Sequence, residues 1–201
     1  MVSFTTILTS ALALAAPIVA QSTPAQIIST LNTLTSKTQA LQPIANTISA
    51  VNGVLLVIGQ GPYPPIIQGL QEIITIATAE INQQSGTPPT PAGADADAVF
   101  NAYRSFATEH QSLLNTLTTK AGLSSTAPFV GAPMSAILRA DESAIDSLSL
   151  SIIGITPSRA QDLTPLANSL SKTFQTAINA YSGALQKRAM KFGTRAEAVA
   201  A

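Results

Sequence analysis

The 201-residue chain has a formal net charge of zero, because ten basic residues balance ten acidic ones, and only 10% of its residues are charged. Soluble proteins usually carry about 25% charged residues, and binding to nucleic acid requires a basic patch that this sequence lacks. The absence of cysteine excludes thiol catalysis, thiolate metal sites and disulfide scaffolds.

Residues 1–20 form an apolar segment typical of a secretory signal peptide. The run from Ile7 to Ala16 is followed by small residues, so we expect cleavage after Ala20 or, as a second choice, after Ala15. The run is too short to span a membrane. We therefore expect a secreted protein without a transmembrane segment, located outside the cell or in the cell wall.

The first helix is predicted to begin at the segment STPAQ. Ser22 or Thr23 can cap it, and Pro24 suits its first turn, where the missing N–H has no cost. Pro43 lies inside the helix and predicts a kink or a break. Apolar residues recur every seventh position, which favours left-handed bundle packing, at Ile27, Leu34, Leu41, Ile48 and Leu55.

Four further helices are predicted from apolar stripes that Gly- and Pro-rich segments separate. They span about 65–84, 95–120, 133–152 and 165–188. The stripe of helix two is wider than that of an ordinary surface helix, so this helix either lies centrally or lines something apolar. No alternation typical of strands occurs. The sequence therefore predicts an all-α antiparallel bundle of about five amphipathic helices.

This helical domain is predicted to span residues 21–187, and residues 188–201 are predicted to form a flexible C-terminal tail. Lys187 and Arg188 form a dibasic pair that a processing protease could cleave, although cations that complete a helix C-terminus are the simpler explanation. The linker QQSGTPPTPAGAD is suited to O-glycosylation, whereas no N-glycosylation sequon occurs in the chain.

Three polar residues fall in the middle of apolar stripes: His110 in helix three, Asp141 in helix four and Tyr181 in helix five. They can be core groups that bond to one another, to the backbone or to water. Alternatively, they form the polar end of an apolar cavity and contact the head group of a ligand. The second hypothesis gives the following candidate ligand-binding residues: Leu70, Ile74, Tyr103, Phe106, His110, Asp141, Phe174 and Tyr181.

Catalysis and metal binding fit the sequence poorly. The single histidine lies mid-helix on an apolar face, and neither a G-x-S-x-G motif nor a Gly-rich phosphate loop occurs. Metal binding would require clustered ligands. Glu72 with Glu80, and Asp141 with Asp146, are better explained by solvated helix faces, apart from Asp141. We therefore expect a non-enzymatic protein with neither cofactor nor metal.

Several segments, covering about residues 22–184, resemble the fungal hydrophobic surface-binding protein A family, which includes the antigenic cell wall galactomannoproteins. In chain order these segments are IISTLNTLTSKTQALQPIANTISAVNG, the Pro-rich break before the Ile-rich second helix, VFNAYRSFATEHQSLLNTL, ILRADESAIDSLSLSIIGITP and LTPLANSLSKTFQTAINAYSG. Within the last of them, FQTAINAYSG carries the strongest similarity.

The resemblance implies a secreted or wall-associated helical domain that adsorbs to hydrophobic solid surfaces and recruits a secreted polyester hydrolase there. For the galactomannoproteins it also implies binding of a long-chain fatty acid. The chain departs from the family in being poorer in charged residues and in lacking a Ser/Thr-rich stalk and an anchor signal, which puts covalent wall attachment in doubt.

Two mechanisms of binding are compatible with these features. The helices could enclose a lipid tail, or they could turn their apolar stripes toward a hydrophobic surface. The alternative function is a structural or antigenic cell wall mannoprotein with a dry core and no ligand.

Overall fold

A computed structural model describes the backbone of residues 22–49, 60–125 and 130–199, and the side chains of residues 22–49, 60–123 and 130–183. The predicted signal peptide and Leu55 lie outside the described residues. The described chain contains five α-helices and no strand. They are α1 (Pro24–Asn46), α2 (Tyr63–Gln84), α3 (Ala94–Ala121), α4 (Gly131–Ile155) and α5 (Ala160–Val199). The prediction of an all-α bundle of five helices is confirmed.

The first helix begins where the sequence predicts. Thr23 is its N-cap, and its hydroxyl accepts a hydrogen bond from the backbone N–H of Gln26 at 3.3 Å. The Gln26 side chain accepts in return from the Thr23 N–H at 2.8 Å, which completes a capping box. Pro43 lies inside α1, and the helix ends within one turn of it, at Asn46. Proline removes one intrahelical hydrogen bond, which weakens the helix near this end.

The fifth helix is longer at both ends than the sequence predicts. It begins at Ala160, directly after a 3₁₀ turn, Pro157–Arg159. The guanidinium of Arg159 bonds to Asp97 of α3, with Nε 2.8 Å from Oδ1, and so holds this turn against the bundle. At the other end α5 continues to Val199, through the segment predicted as a tail. That segment is rich in Ala, which favours helix even without an apolar stripe.

Consecutive helices run antiparallel. Thr30 and Lys37 of α1 contact Glu80 and Glu72 of α2, respectively, so residue numbers rise on one helix as they fall on the other. The same reversal holds between α3 and α4 and between α4 and α5. This agrees with the predicted antiparallel bundle.

The odd-numbered helices are parallel neighbours in space. Thr38 and Gln42 of α1 contact His110 and Thr116 of α3, respectively, so residue numbers rise in the same direction along both helices. Contacts between α3 and α5 follow the same rule. The helices pack in the closed order α1–α3–α5–α4–α2, with α2 also against α1. We call this arrangement the ring; α3 lies between α1 and α5 and faces α4 across its middle.

The interior of the ring is filled by the apolar stripes. The heptad positions predicted for the first helix are buried wherever the structure describes them, at Ile27, Leu34 and Leu41 of α1 and at Ile48, which follows its end. The largest fully buried side chains are aromatic, and they come from α2, α3 and α5: Tyr63, Tyr103, Phe106, Phe174 and Tyr181. The three tyrosines of the chain are therefore all in the core.

A glycine sets the approach of α1 to α2. A Cβ added to Gly69 would overlap the buried side chain of Leu41, whereas one added to Gly154, in α4, would contact nothing within 4 Å. We expect Gly69→Ala to lower the free energy of unfolding by about 1 kcal/mol, because overpacking outweighs the gain in helix propensity. Gly154→Ala should raise it by about 0.5–1 kcal/mol.

Urea denaturation of both variants would measure this difference. If Gly69→Ala stabilised the protein as much as Gly154→Ala, the close contact with Leu41 would not limit the packing of α1 on α2.

Candidate functional site

A hydrogen-bonded chain of side chains crosses the middle of the ring. Nε2 of His110 lies 3.0 Å from Oδ2 of Asp141 on α4, and Nδ1 lies 3.1 Å from Oγ1 of Thr38 on α1. His110 and Asp141 are 0% exposed, and Thr38 is 1% exposed. We call this the Thr38–His110–Asp141 chain. It joins three helices, and it brings together two of the three polar residues singled out in the sequence.

Aromatic rings enclose the imidazole on two sides. The ring centroids of Phe106 and Phe174 each lie 5.3 Å from that of His110, at tilted angles. Phe106 also contacts Tyr103 edge-on, with centroids 6.5 Å apart. Contacts of this geometry are favourable and orient the rings. These rings form an apolar wall around the buried polar chain.

Within the Thr38–His110–Asp141 chain, Oδ1 of Asp141 has no hydrogen-bond partner among the described residues. If His110 carries its hydrogen on Nε2, it donates to Asp141 and accepts from the Thr38 hydroxyl; as an imidazolium it donates to both. Neither state supplies a donor for Oδ1. A buried polar atom without a partner is costly, so Oδ1 is placed to accept a hydrogen bond.

Tyr181 does not join His110 and Asp141, although its stripe position suggested that it could. Its hydroxyl donates to the backbone oxygen of Leu117 on α3 at 3.1 Å. Burial raises the pKa of Tyr181 well above its usual value, and the nearby Tyr63 adds to this effect. Tyr181 is therefore a bonded core residue at another level of the ring.

The remaining candidate residues form parts of the apolar interior. Tyr103 is buried, and its hydroxyl lies 2.7 Å from Oγ of Ser149 on α4. Burial raises the pKa of Tyr103 to about 12. On α2, Leu70 is fully buried, and Ile74 is half-buried at the edge of the core. Their positions fit both hypotheses, since core residues and pocket walls have the same composition.

An open groove of about 850 Å³ runs along the outside of α2, beside α1. Most of its lining is apolar, and none of the candidate residues contributes to it; we call it the α2 groove. At its edge Nζ of Lys37 lies 2.7 Å from Oε2 of Glu72. The hydrogen bond and charge of Lys37 hold the pKa of Glu72 below its usual value. The groove is lined by Lys37, Pro64, Ile67, Gln68, Gln71, Glu72, Thr75 and Ile76.

The expectation that Glu80 lies on a solvated face is wrong, because this residue is only 3% exposed. Its two carboxylate oxygens accept from Thr30 at 2.6 Å and from the Gln84 amide at 2.9 Å. Ser151 of α4 donates in turn to Gln84 at 2.5 Å. The apolar pattern gave no sign of this network, since its donors come from three helices. The pairing of Glu80 with Gln84, one turn later, was the one available indication.

Within the described residues, no group of three or more His, Cys, Asp or Glu side chains could hold a metal ion. None of the helices, over the same residues, has the length and apolar character needed to cross a bilayer.

Fold and site together define a five-helix bundle with a histidine–carboxylate pair buried in its core. Searches for similar proteins found no matching family model, curated protein or solved structure. The resemblance to the hydrophobic surface-binding protein A family therefore stays a prediction that rests on the segments quoted above.

Proposed function

We propose that the protein is a non-enzymatic binder that encloses a long-chain apolar molecule between its helices. The observation that carries this proposal is Oδ1 of Asp141, a buried acceptor without a partner among the described residues, close to the apolar rings around His110. Ligand pockets combine apolar walls with a few convergent polar groups, and the surroundings of this atom have that composition. Phe106 and Phe174 would contact the chain of the ligand, and Asp141 its polar end.

The packing of the ring supports a position of the ligand between α3 and α4, which face each other across the interior. The backbone of α3 packs mainly on α1 and α5. Side-chain hydrogen bonds connect α3 to α4 across the middle, from His110 to Asp141 and from Tyr103 to Ser149. A ligand that separates these two helices would exchange side-chain contacts and leave the main helix–helix interfaces in place.

The Thr38–His110–Asp141 chain has the order of a nucleophile, a base and an acid, yet its position within helices argues against catalysis. A nucleophile of this kind needs free N–H donors that stabilise an oxyanion, and the backbone N–H groups around Thr38, in the interior of α1, are engaged in intrahelical bonds. We therefore assign the chain to positioning Asp141 and not to a reaction.

Adsorption to hydrophobic solids is a second candidate function, which the α2 groove favours. Pro64, Ile67 and Ile76 present apolar surface there, and low overall charge weakens repulsion from a surface. Secretion, wall association and recruitment of a polyester hydrolase remain predictions from the sequence, and we assign no surface to the hydrolase.

Native mass spectrometry of the full secreted chain, before and after addition of palmitate and hexadecanol, tests enclosure. We expect adducts of one or two lipids per chain, and Ile67→Gln combined with Ile76→Gln in the α2 groove should not reduce them. The same double variant should lower adsorption to polystyrene if the groove is the adsorbing surface. Absence of any adduct would contradict enclosure, and absence of adsorption as well would leave a structural wall protein with a dry core.

A further inference from the structure

We propose that the enclosed ligand has an uncharged head group that donates a hydrogen bond, as in a long-chain alcohol or a monoacylglycerol. An ionised fatty acid is the poorer ligand for this interior. The inference rests on the proposed function and names the class of molecule that the same site accepts.

The charges of the interior argue against a carboxylate ligand. Asp141 and Glu80 are buried, whereas the lysine and arginine side chains that the structure describes are all exposed or only partly buried. A ligand carboxylate beside Oδ1 of Asp141 would meet a like charge where water screens poorly. No described lysine or arginine is buried there, and His110, the basic group in contact with Asp141, is already bonded to the other oxygen of that carboxylate. The described lysines and arginines are Lys37, Arg104, Lys120, Arg139, Arg159 and Lys172.

The hydrogen-bonding capacity left around His110 also requires a donor from the ligand. Both ring nitrogens of His110 are engaged, by Asp141 and by Thr38. Both oxygens of Glu80 accept hydrogen bonds as well. Oδ1 of Asp141 thus remains as an acceptor in the middle of the ring, and an alcohol hydroxyl can donate to it, whereas an ionised carboxylate has no hydrogen to give. The other buried side-chain oxygens without a partner among the described residues, in Ser22 and Thr156, lie just before α1 and just after α4, away from Asp141.

The test compares hexadecanol with palmitate, which share the length of their apolar chain, as competing ligands of the full secreted chain at neutral pH. Native mass spectrometry gives their relative occupancy. We expect hexadecanol to bind at least about tenfold more tightly, which corresponds to one hydrogen bond to a charged acceptor.

Asp141→Asn should reverse this preference. The asparagine oxygen can still accept from His110, while its amide N–H faces the ligand and can donate to a carboxylate. Palmitate should gain about tenfold relative to hexadecanol. Asp146→Asn is the matched control: it removes the same charge from the same helix, at a carboxylate that accepts from Ser171 of α5. This control should leave the preference unchanged.

The outcomes separate the two proposals. Binding of both lipids with palmitate preferred, or equal effects of Asp141→Asn and Asp146→Asn, would overturn the head-group assignment and leave enclosure intact. Binding of neither lipid would overturn enclosure and the assignment with it. Because the wild-type comparison needs no variant, poor folding of Asp141→Asn would not prevent a decision.

Discussion

Replacing His110 by alanine is expected to lower the free energy of unfolding by about 3–5 kcal/mol. The substitution leaves the Asp141 carboxylate, which is 0% exposed, without the one partner that the structure gives it. It also removes the ring that lies between Phe106 and Phe174. Urea denaturation at neutral pH, followed by far-ultraviolet circular dichroism, would measure the change.

A double substitution separates the charge from the packing. Combining His110→Leu with Asp141→Val replaces the pair by apolar residues of similar size, which often costs little. We expect this double variant to be more stable than His110→Ala. Thr38, which loses its partner, can bond to the carbonyl one turn earlier in α1.

Additive effects of the two substitutions would contradict a coupling between His110 and Asp141. If the double variant lost as much stability as the two single leucine and valine variants together, His110 and Asp141 would not be energetically coupled. Tyr103→Phe is a useful reference. It removes one neutral hydrogen bond and should lower the free energy of unfolding by only about 1 kcal/mol, since Ser149 keeps its bond to Ile145.

The His110→Ala variant also shows whether His110 acts only as a core residue or also affects the binding of the ligand. If His110→Ala lowers stability but leaves lipid affinity unchanged, the imidazole acts only within the core. If affinity falls as well, the variant has disturbed the position of Asp141, because the imidazole holds the second oxygen of that carboxylate.

Helical periodicity predicted which face of each helix is buried, but not which faces meet. It placed His110 and Asp141 in the interior, where the structure confirms them. Their contact, and the contact with Thr38, depend on the order of helices around the ring. Periodicity carries no information on that order, so the parallel packing of α1, α3 and α5 was not foreseen. Tyr181 shows the same point: it lies as centrally in its apolar stripe as His110 does, but its hydroxyl bonds to the backbone carbonyl of Leu117 and not to His110 or Asp141.

By contrast, a local contact can be predicted from the sequence where one short segment contains all the residues that form it. The cap of α1 at Thr23, one of the two residues predicted for it, needs only Gln26 of the same segment. Glu80 was misassigned because two of the residues in its network come from other helices. The unpartnered oxygen of Asp141 depends on every neighbour at once, and only the folded chain reveals it.

The three tyrosines should ionise only as the protein unfolds. Burial raises the pKa of Tyr63 and Tyr103 to about 12, and it also raises the pKa of Tyr181. Because the deprotonated form is the charged one, the folded state holds more protons than the unfolded state above pH 10. The stability that depends on the protonated tyrosines is complete below about pH 10, their pKa in the unfolded state, and is lost as the pH rises through their pKa values in the folded state.

The expected loss is large enough to unfold the protein. A change of one pKa unit corresponds to about 1.36 kcal/mol, so Tyr103 alone can contribute up to about 3 kcal/mol, and Tyr63 and Tyr181 add to this. The total is a large part of the stability of a small domain. We expect tyrosinate absorbance and loss of helical circular dichroism to share one midpoint between about pH 10 and 12. The chain has neither tryptophan nor cysteine, so the absorbance change reports tyrosine alone.

Tyr181→Phe provides the control for this titration. At neutral pH it should cost about 1 kcal/mol, because the hydrogen bond to the Leu117 carbonyl is lost. Above pH 10 it should lose stability less steeply than the wild type, since one fewer buried hydroxyl must ionise. A tyrosinate midpoint near pH 10 with helicity retained would contradict the expectation, because it would mean that water reaches a tyrosine hydroxyl in the folded ring. Such an interior would be hydrated, and its polar groups would no longer require a donor from the ligand.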